Sequence, residues 1–458
     1  MKTLKLIKLL CASVCMAFVA TGVLYAQSPY GWRGPERDGV YFENGLLKEW
    51  PSEGPELLWE TMELGKGYSS PVIVDGRLYI TGMDEEGTQE IFFAYSLDGK
   101  KLYQTAYGVP WTDTYPETRT TPTIENGKAY VISGSGEIVC LDTADGKIVW
   151  KVDGGNIYGR KTGNWGTSEC PLVYDDKVIY TPAGDQTTMV ALNKDTGELI
   201  WKTESFGDTG AYVSPILISY KGKRQIIGST AKHVIGVNPD NGTVEWSFAD
   251  WGPKEGKWAN IAPNTPLYKD GKIFFCHGYN INGVMLQLSD DLKSVSVVWR
   301  TDVLDTHHGG YVEVNGTIYG SNWINNNQGN WCAIDWNTGA KGYETTWTGG
   351  KGKGSIIAAD GMLGQMMEPV IMPPAKPALT EEEIPQVKPY CLTGHKNKRD
   401  RIAINSVWLQ QELLEDYING YWPKYEKAQR EEQRWESRDL QGAEVVFVSY
   451  GSTSRITM

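Results

Sequence analysis

The chain has 458 residues, 52 of them glycine, and a formal net charge of -12. That length holds one large domain plus an extra segment, and the glycines fit many tight turns. The charge argues against a general nucleic-acid binder, because neutralising phosphates needs clustered Lys and Arg and no basic stripe is visible.

Residues 1–26 carry lysines at 2, 5 and 8, an apolar run from Leu9 to Tyr25, and then Ala26. This is the pattern of a cleavable secretory signal, too short and too early for a membrane anchor of the mature chain. It predicts a periplasmic or secreted protein. Ala26 and Gly22 are alternative last residues of the signal, and Cys11 and Cys15 lie too early in the apolar run for lipid attachment.

A unit then repeats. Its clearest copies end at Trp150, Trp201 and Trp246, each four residues after a turn glycine (Gly146, Gly197, Gly242). Tyr103 and Tyr343 keep the offset from Gly99 and Gly339, Trp299 ends a copy without its glycine, and Trp59 ends the stub Pro55-Glu56-Leu57-Leu58-Trp59. The period of about 44 to 53 residues is that of propeller blades. Each first half alternates apolar and polar residues around Asp75-Gly76, Asn126-Gly127 or Asp270-Gly271, which are strong hairpin signals because a two-residue turn needs positive φ. A second hairpin follows, so each unit reads as four strands. One such sheet cannot bury both faces, which requires the units to stack around an axis. The seven aromatics Trp59, Tyr103, Trp150, Trp201, Trp246, Trp299 and Tyr343 are predicted to dock one blade on the next.

The residues leading into each innermost strand converge at one end of the central channel. They include Tyr68, Arg119, Trp165, Glu169, Tyr212, Asn260, Asn264, His307 and His308, which form the predicted ligand- or partner-binding mouth. Neighbours on a strand point to opposite faces, so at most one of His307 and His308 faces the channel, and no metal site is expected. Beyond the signal, Cys140, Cys170, Cys276, Cys332 and Cys391 show no CxxC spacing, which gives neither a zinc site nor an obvious disulfide framework. Cys140 falls in the small apolar slot that Ala191 fills in the next unit.

The aromatic-ended unit with its Asp-x-x-Thr-Gly turn resembles the repeat of pyrroloquinoline-quinone-type β-propellers over roughly residues 31–363. That group includes quinoprotein alcohol dehydrogenases and the propeller lipoprotein of the outer-membrane β-barrel assembly machinery. The resemblance implies an all-β propeller of four-stranded blades, truncated here from an eight-bladed parent. Quinone enzymes of the group commonly carry an adjacent cysteine pair and a calcium held by carboxylate and amide groups. No Cys-Cys occurs here; Glu169 and Asn264 stand just before first strands, where channel-facing groups would lie, but no calcium set is assigned from them.

The repeat breaks inside a unit, at Asp360-Gly361-Met362-Leu363. Residues 364–458 begin with a proline-stiffened stretch, Gln365 to Pro377. A helical pattern then runs from about Ser406 to Arg438, its apolar stripe formed by Leu409, Leu413, Tyr417, Tyr421 and Tyr425, with Pro423 expected to kink it. Ala443–Ser452 reads as one buried strand. Together with Asp360–Val370 and the Leu-Thr-Gly-His-Lys element, these pieces resemble a fragment of the α-type subunit of 2-oxoacid (2-oxoisovalerate):ferredoxin oxidoreductases. The fragment has no cofactor site of its own, and the join reads as a chimeric reading frame.

The expected molecule is therefore an exported, non-catalytic propeller that binds a protein or small molecule at its channel mouth, with no cofactor. The ring is expected to be open or gapped, Trp59 closing a final blade whose other strands are missing. The alternatives are a quinone-dependent alcohol dehydrogenase using calcium, and a component of a 2-oxoacid oxidoreductase.

Overall fold

A computed structural model describes residues 30–43, 45–47, 54–250, 261–326, 328–346, 354–360, 362–365 and 368–370, with helical positions at 419, 422–424 and 426–427. The chain forms two compact units, Met1–Met372 and Pro373–Met458.

The first unit is a propeller. Six antiparallel four-stranded sheets follow one another along the chain, at 72–108, 123–152, 172–202, 216–248, 267–301 and 311–346. We call them blades 1 to 6. In each, the strands pair in chain order, from the innermost to the outermost. Blade 7 differs: Ile356–Ala359, Met362–Gln365 and Glu368–Val370 form an antiparallel ladder, and Val40–Tyr41 joins its inner edge in parallel. This seventh sheet therefore continues past residue 363.

The outer hairpins share one irregularity. The ladder slips by one residue between Ala94 and Tyr95, Cys140 and Leu141, Ala191 and Leu192, Gly236 and Val237, Met285 and Leu286, and Ala333 and Ile334. In each case the residue before the slip pairs with the blade's aromatic, as Cys140 does with Trp150 and Ala191 with Trp201. A bulge at a fixed place bends and twists the strand identically in every blade. Five of the six residues opposite the aromatic are Ala, Cys or Gly, because the ring lies over that slot.

The core lies between blades. Val72 and Val74 of blade 1 pack with Ile124, Val131 and Leu141 of blade 2; Tyr130 and Trp150 of blade 2 pack with Val173 and Val190 of blade 3. The aromatics reach forward onto the next blade's outer turn. Trp150 Nε1 donates to the Lys194 carbonyl at 2.8 Å, Trp201 to Pro239 at 3.1 Å and Trp299 to Trp336 at 3.3 Å, while the Tyr103 hydroxyl donates to Thr143 at 2.7 Å. Trp246 instead bonds to Gln225 of its own blade at 2.8 Å, and Gln225 passes the link to Leu292 of blade 5. Trp59 donates to Leu97 in blade 1 at 2.9 Å, so it occupies the outermost-strand position of a blade preceding blade 1. Residues 55–62 are not paired as a strand. Ile73, on the blade 1 face toward that position, is 57% exposed, whereas Ile124 and Val173 at the same repeat position are each 2% exposed.

In the second unit the described positions are helical, Pro423 among them, and Trp422 donates to Glu426 at 3.1 Å. Of the proline-stiffened stretch, Gln365 and Glu368–Val370 belong to blade 7, whereas the rest of it, the signal segment, most of the helical pattern and the strand at 443–452 lie outside the described residues, as does Cys391.

Candidate functional site: the channel and its mouth

The innermost strands begin at one end of the ring; those of blades 1 and 2, 2 and 3, and 5 and 6 touch, as does that of blade 6 with Ile356–Ala359 of blade 7. The channel they line is crossed by the chain's own residues 30–41. Tyr30 exchanges two backbone hydrogen bonds with Ile124 of blade 2, at 2.9 and 2.7 Å. Arg37 then donates from Nη1 to the carbonyls of Cys170 at 2.9 Å and Pro215 at 3.1 Å, and from Nη2 to the Pro171 carbonyl and to Thr123 Oγ1 at 3.4 Å. These acceptors belong to blades 2, 3 and 4. Arg33 serves the other side: it donates to Tyr311 of blade 6 at 2.5 Å and to Ile356 of blade 7 at 3.1 Å, as well as to the Asp38 carbonyl at 3.0 Å. Gly39 accepts from Ala358 at 2.8 Å as the segment enters blade 7.

Both arginines are buried and both have left-handed backbones, φ 62° at Arg33 and 59° at Arg37. Such a conformation costs an L-residue roughly 1–2 kcal/mol. Charge-assisted hydrogen bonds of about 1.5–3 kcal/mol each offset it. Burial lowers both guanidinium pKa values from their usual range, with Glu169 opposing the shift at Arg37. Gly39 has φ +82°, and a β-carbon there would run into the Arg33 guanidinium.

The mouth lies around this segment. Tyr68 is 71% exposed, and its backbone N–H bonds to Thr118 at 2.8 Å. Arg119 turns onto its own loop, donating to the carbonyls of Glu117 at 2.8 Å and Tyr115 at 2.6 Å. The Trp165 and Tyr212 rings meet at 5.8 Å, and the Tyr212 hydroxyl accepts from the Trp165 backbone N–H at 3.2 Å. Asn264 is buried and ties blade 5 to blade 6 by donating to the carbonyls of Thr306 at 2.6 Å and His307 at 3.1 Å. His307 bonds through Nε2 to the Tyr279 hydroxyl at 2.6 Å, and the His308 ring lies 4.2 Å from the His307 ring. Asn260 lies outside the described residues.

Glu169 is fully enclosed rather than facing the opening. Its carboxylate accepts from the Thr181 backbone N–H at 3.0 and 3.1 Å and from the Thr181 hydroxyl at 3.1 Å, capping a strand end. Burial pushes its pKa up to about 8, only partly countered by Thr181 and Arg37. Glu90 has a similar setting. Burial raises it to about 8 although Tyr107 and the Gly134 N–H both donate to it. Among the described residues no group of three His, Cys, Asp or Glu could hold a metal, and Cys140, Cys170, Cys276 and Cys332 are free and buried.

The signals that mark the channel segment in the sequence are two arginines separated by Gly34-Pro35-Glu36 and followed by Asp38-Gly39. Nothing periodic distinguishes them, and their partners lie up to 323 residues away.

Two curated relatives match only in part. An uncharacterized protein of Rickettsia conorii is 23% identical over 190 residues, covering 39% of this chain and 41% of the relative. The outer membrane protein assembly factor BamB of Salmonella typhimurium is 23% identical over 177 residues, with the same shares. The chain thus spans about two fifths of the length of these relatives. Among solved structures, BamB from Moraxella catarrhalis aligns at 14% identity and a TM-score of 0.46, over 64% of this chain and 80% of that one. A quinohemoprotein alcohol dehydrogenase from Pseudomonas putida HK5 aligns at 14% identity and 0.45, over 64% and 61%. The family profile described as outer membrane protein assembly factor BamB matches residues 94–345, more than half of the chain, and the protein belongs to that family.

Proposed function

We propose that the protein is an exported, non-catalytic binding module that engages another protein through the loops around its channel mouth. The observation that carries this reading is the display of aromatic side chains on loops from several blades at one end of the ring. Tyr68 and Tyr115 are 71% and 68% exposed, and the half-buried Trp165–Tyr212 pair joins the loops leading into blades 3 and 4. Aromatic side chains on a rigid scaffold supply large contact area at low cost in conformational entropy, which is what a recognition surface needs. Export rests on the secretory pattern of residues 1–26, and membership of a family described as an assembly factor supports a protein partner over a small molecule.

The test places a photocrosslinking amino acid at Tyr68, at Tyr115 and, as the opposite-end control, at Leu97 in the full chain expressed in its own cells. Adducts of defined mass from the first two positions and none from Leu97 are expected. Adducts from Leu97 alone, or from no position, would overturn the reading.

A further inference from the structure

Quinone-binding propellers hold a planar, fused-ring tricarboxylate in the channel, and the residues here do not fit that group. The channel-facing carbonyls of Cys170, Pro171, Pro215, Tyr311 and Ile356 already accept from Arg37 and Arg33. Glu169, a carboxyl standing just before an innermost strand, is turned onto Thr181. The Asn264 amide is turned onto the carbonyls of Thr306 and His307.

We propose that residues 30–41 are an axial strap that seals the channel and ties the ring together, so that this chain takes no quinone and recognition is confined to the rim. The argument is one of placement. A guanidinium has five N–H donors in a fixed plane and no acceptor. At the axis of a propeller it faces the carbonyls that innermost strands leave unpaired where they start. Arg37 bonds to three successive blades and Arg33 to two more across the channel. The strap's ends are fixed by backbone pairing, to Ile124 at Tyr30 and to Ile356–Ala359 at Val40–Tyr41. Each buried carbonyl would otherwise need water or another donor, since burying it without a partner costs about 1–3 kcal/mol. A strap that joins blade 2 to blade 7 also bridges the break in the ring, because the blade 1 face between them carries the exposed Ile73.

Hydrogen exchange on the unaltered full-length protein reads the strap directly. The bonded amides of Tyr30, Arg37, Gly39 and Val40 are expected to exchange at least about 100-fold more slowly than an unstructured peptide. Free exchange of this segment overturns the proposal. In parallel, the protein is titrated with pyrroloquinoline quinone, with and without calcium, following tryptophan fluorescence. No saturable quenching is expected, and one-to-one binding with the strap still protected overturns it. Arg37→Met is expected to lower Tm and speed exchange at Tyr30 and Gly39, with Arg37→Lys between the two. Slow exchange in Arg37→Met equal to that of the parent also counts against the strap. None of these results bears on the crosslinking at the rim, so the two readings fail separately.

Discussion

Trp59 Nε1 donates to the Leu97 carbonyl at 2.9 Å, repeating at blade 1 the bond that Trp150 makes to Lys194 at 2.8 Å between blades 2 and 3. Trp59 also stacks on Tyr95 at 5.8 Å and, with Leu64, covers Ile91 and Phe93. It performs the docking role of a blade's outermost strand although residues 55–62 pair with no strand. Trp59→Ala should therefore destabilise the ring by about 2 kcal/mol, below the cost of a fully buried tryptophan because one side is open. Urea unfolding of the two proteins checks this, and an unchanged midpoint would mean that blade 1 does not depend on the dock.

Ile73 and Ile124 occupy one position of the repeat and differ only in what lies opposite. Ile124 packs against Val72 and Val74 of blade 1, while Ile73 faces the unfilled position. Ile124→Ser should cost about 3 kcal/mol through lost burial and a cavity. Ile73→Ser should stay within about 0.5 kcal/mol of the parent. Equal losses of Tm in the two variants would show that the blade 1 face is covered in solution.

These two positions also mark what the sequence made legible. The spacing of the aromatics and their turn glycines reported the blades and the odd status of Trp59, because both are local and repeated. The axial strap is neither. Arg33 and Arg37 gain their meaning from carbonyls that the fold brings together from four blades, with the Thr123 hydroxyl from a fifth, and carbonyls leave no mark in a sequence. For the same reason Glu169 reads as a mouth residue from its place before an innermost strand, yet a neighbouring strand encloses it through Thr181. The mouth thus follows from topology, whereas which of its side chains face outward is settled by packing.

The buried carboxyls set a pH dependence. Glu90 and Glu169 have pKa values of about 8 in the fold, against about 4.3 for an unperturbed glutamate. Between these limits the folded protein holds more protons than the unfolded chain, so stability is greatest below the unfolded value and declines as pH rises from about 5 to 8. Glu90→Gln and Glu169→Gln remove the titration while keeping the shape. Each variant should lose less stability over that interval than the parent, by an amount on the order of 3–4 kcal/mol at pH 8. Tm measured at pH 5, 6.5 and 8 decides it: identical slopes in parent and variants would mean that the carboxyls stay ionised in the fold.

Gly39 offers the sharpest test of packing at the channel. Its φ of +82° lies in the left-handed region, and a β-carbon would meet both the Arg33 guanidinium and the Val312 side chain. Gly310, with φ +68°, presses on the same guanidinium from blade 6. An alanine at either place forces the arginine away from Tyr311 and Ile356, combining backbone strain of about 1–3 kcal/mol with the loss of buried charge-assisted bonds. Gly39→Ala should therefore lower stability by more than about 2 kcal/mol, and Gly310→Ala should do the same. The turn glycine Gly76 shares the positive φ, at +72°, but nothing lies within 4 Å of its would-be β-carbon. Gly76→Ala carries the backbone term alone, near 1 kcal/mol. Denaturant unfolding of the three variants separates strain from collision, and equal costs at Gly39 and Gly76 would show that Arg33 does not fill the space beside Gly39.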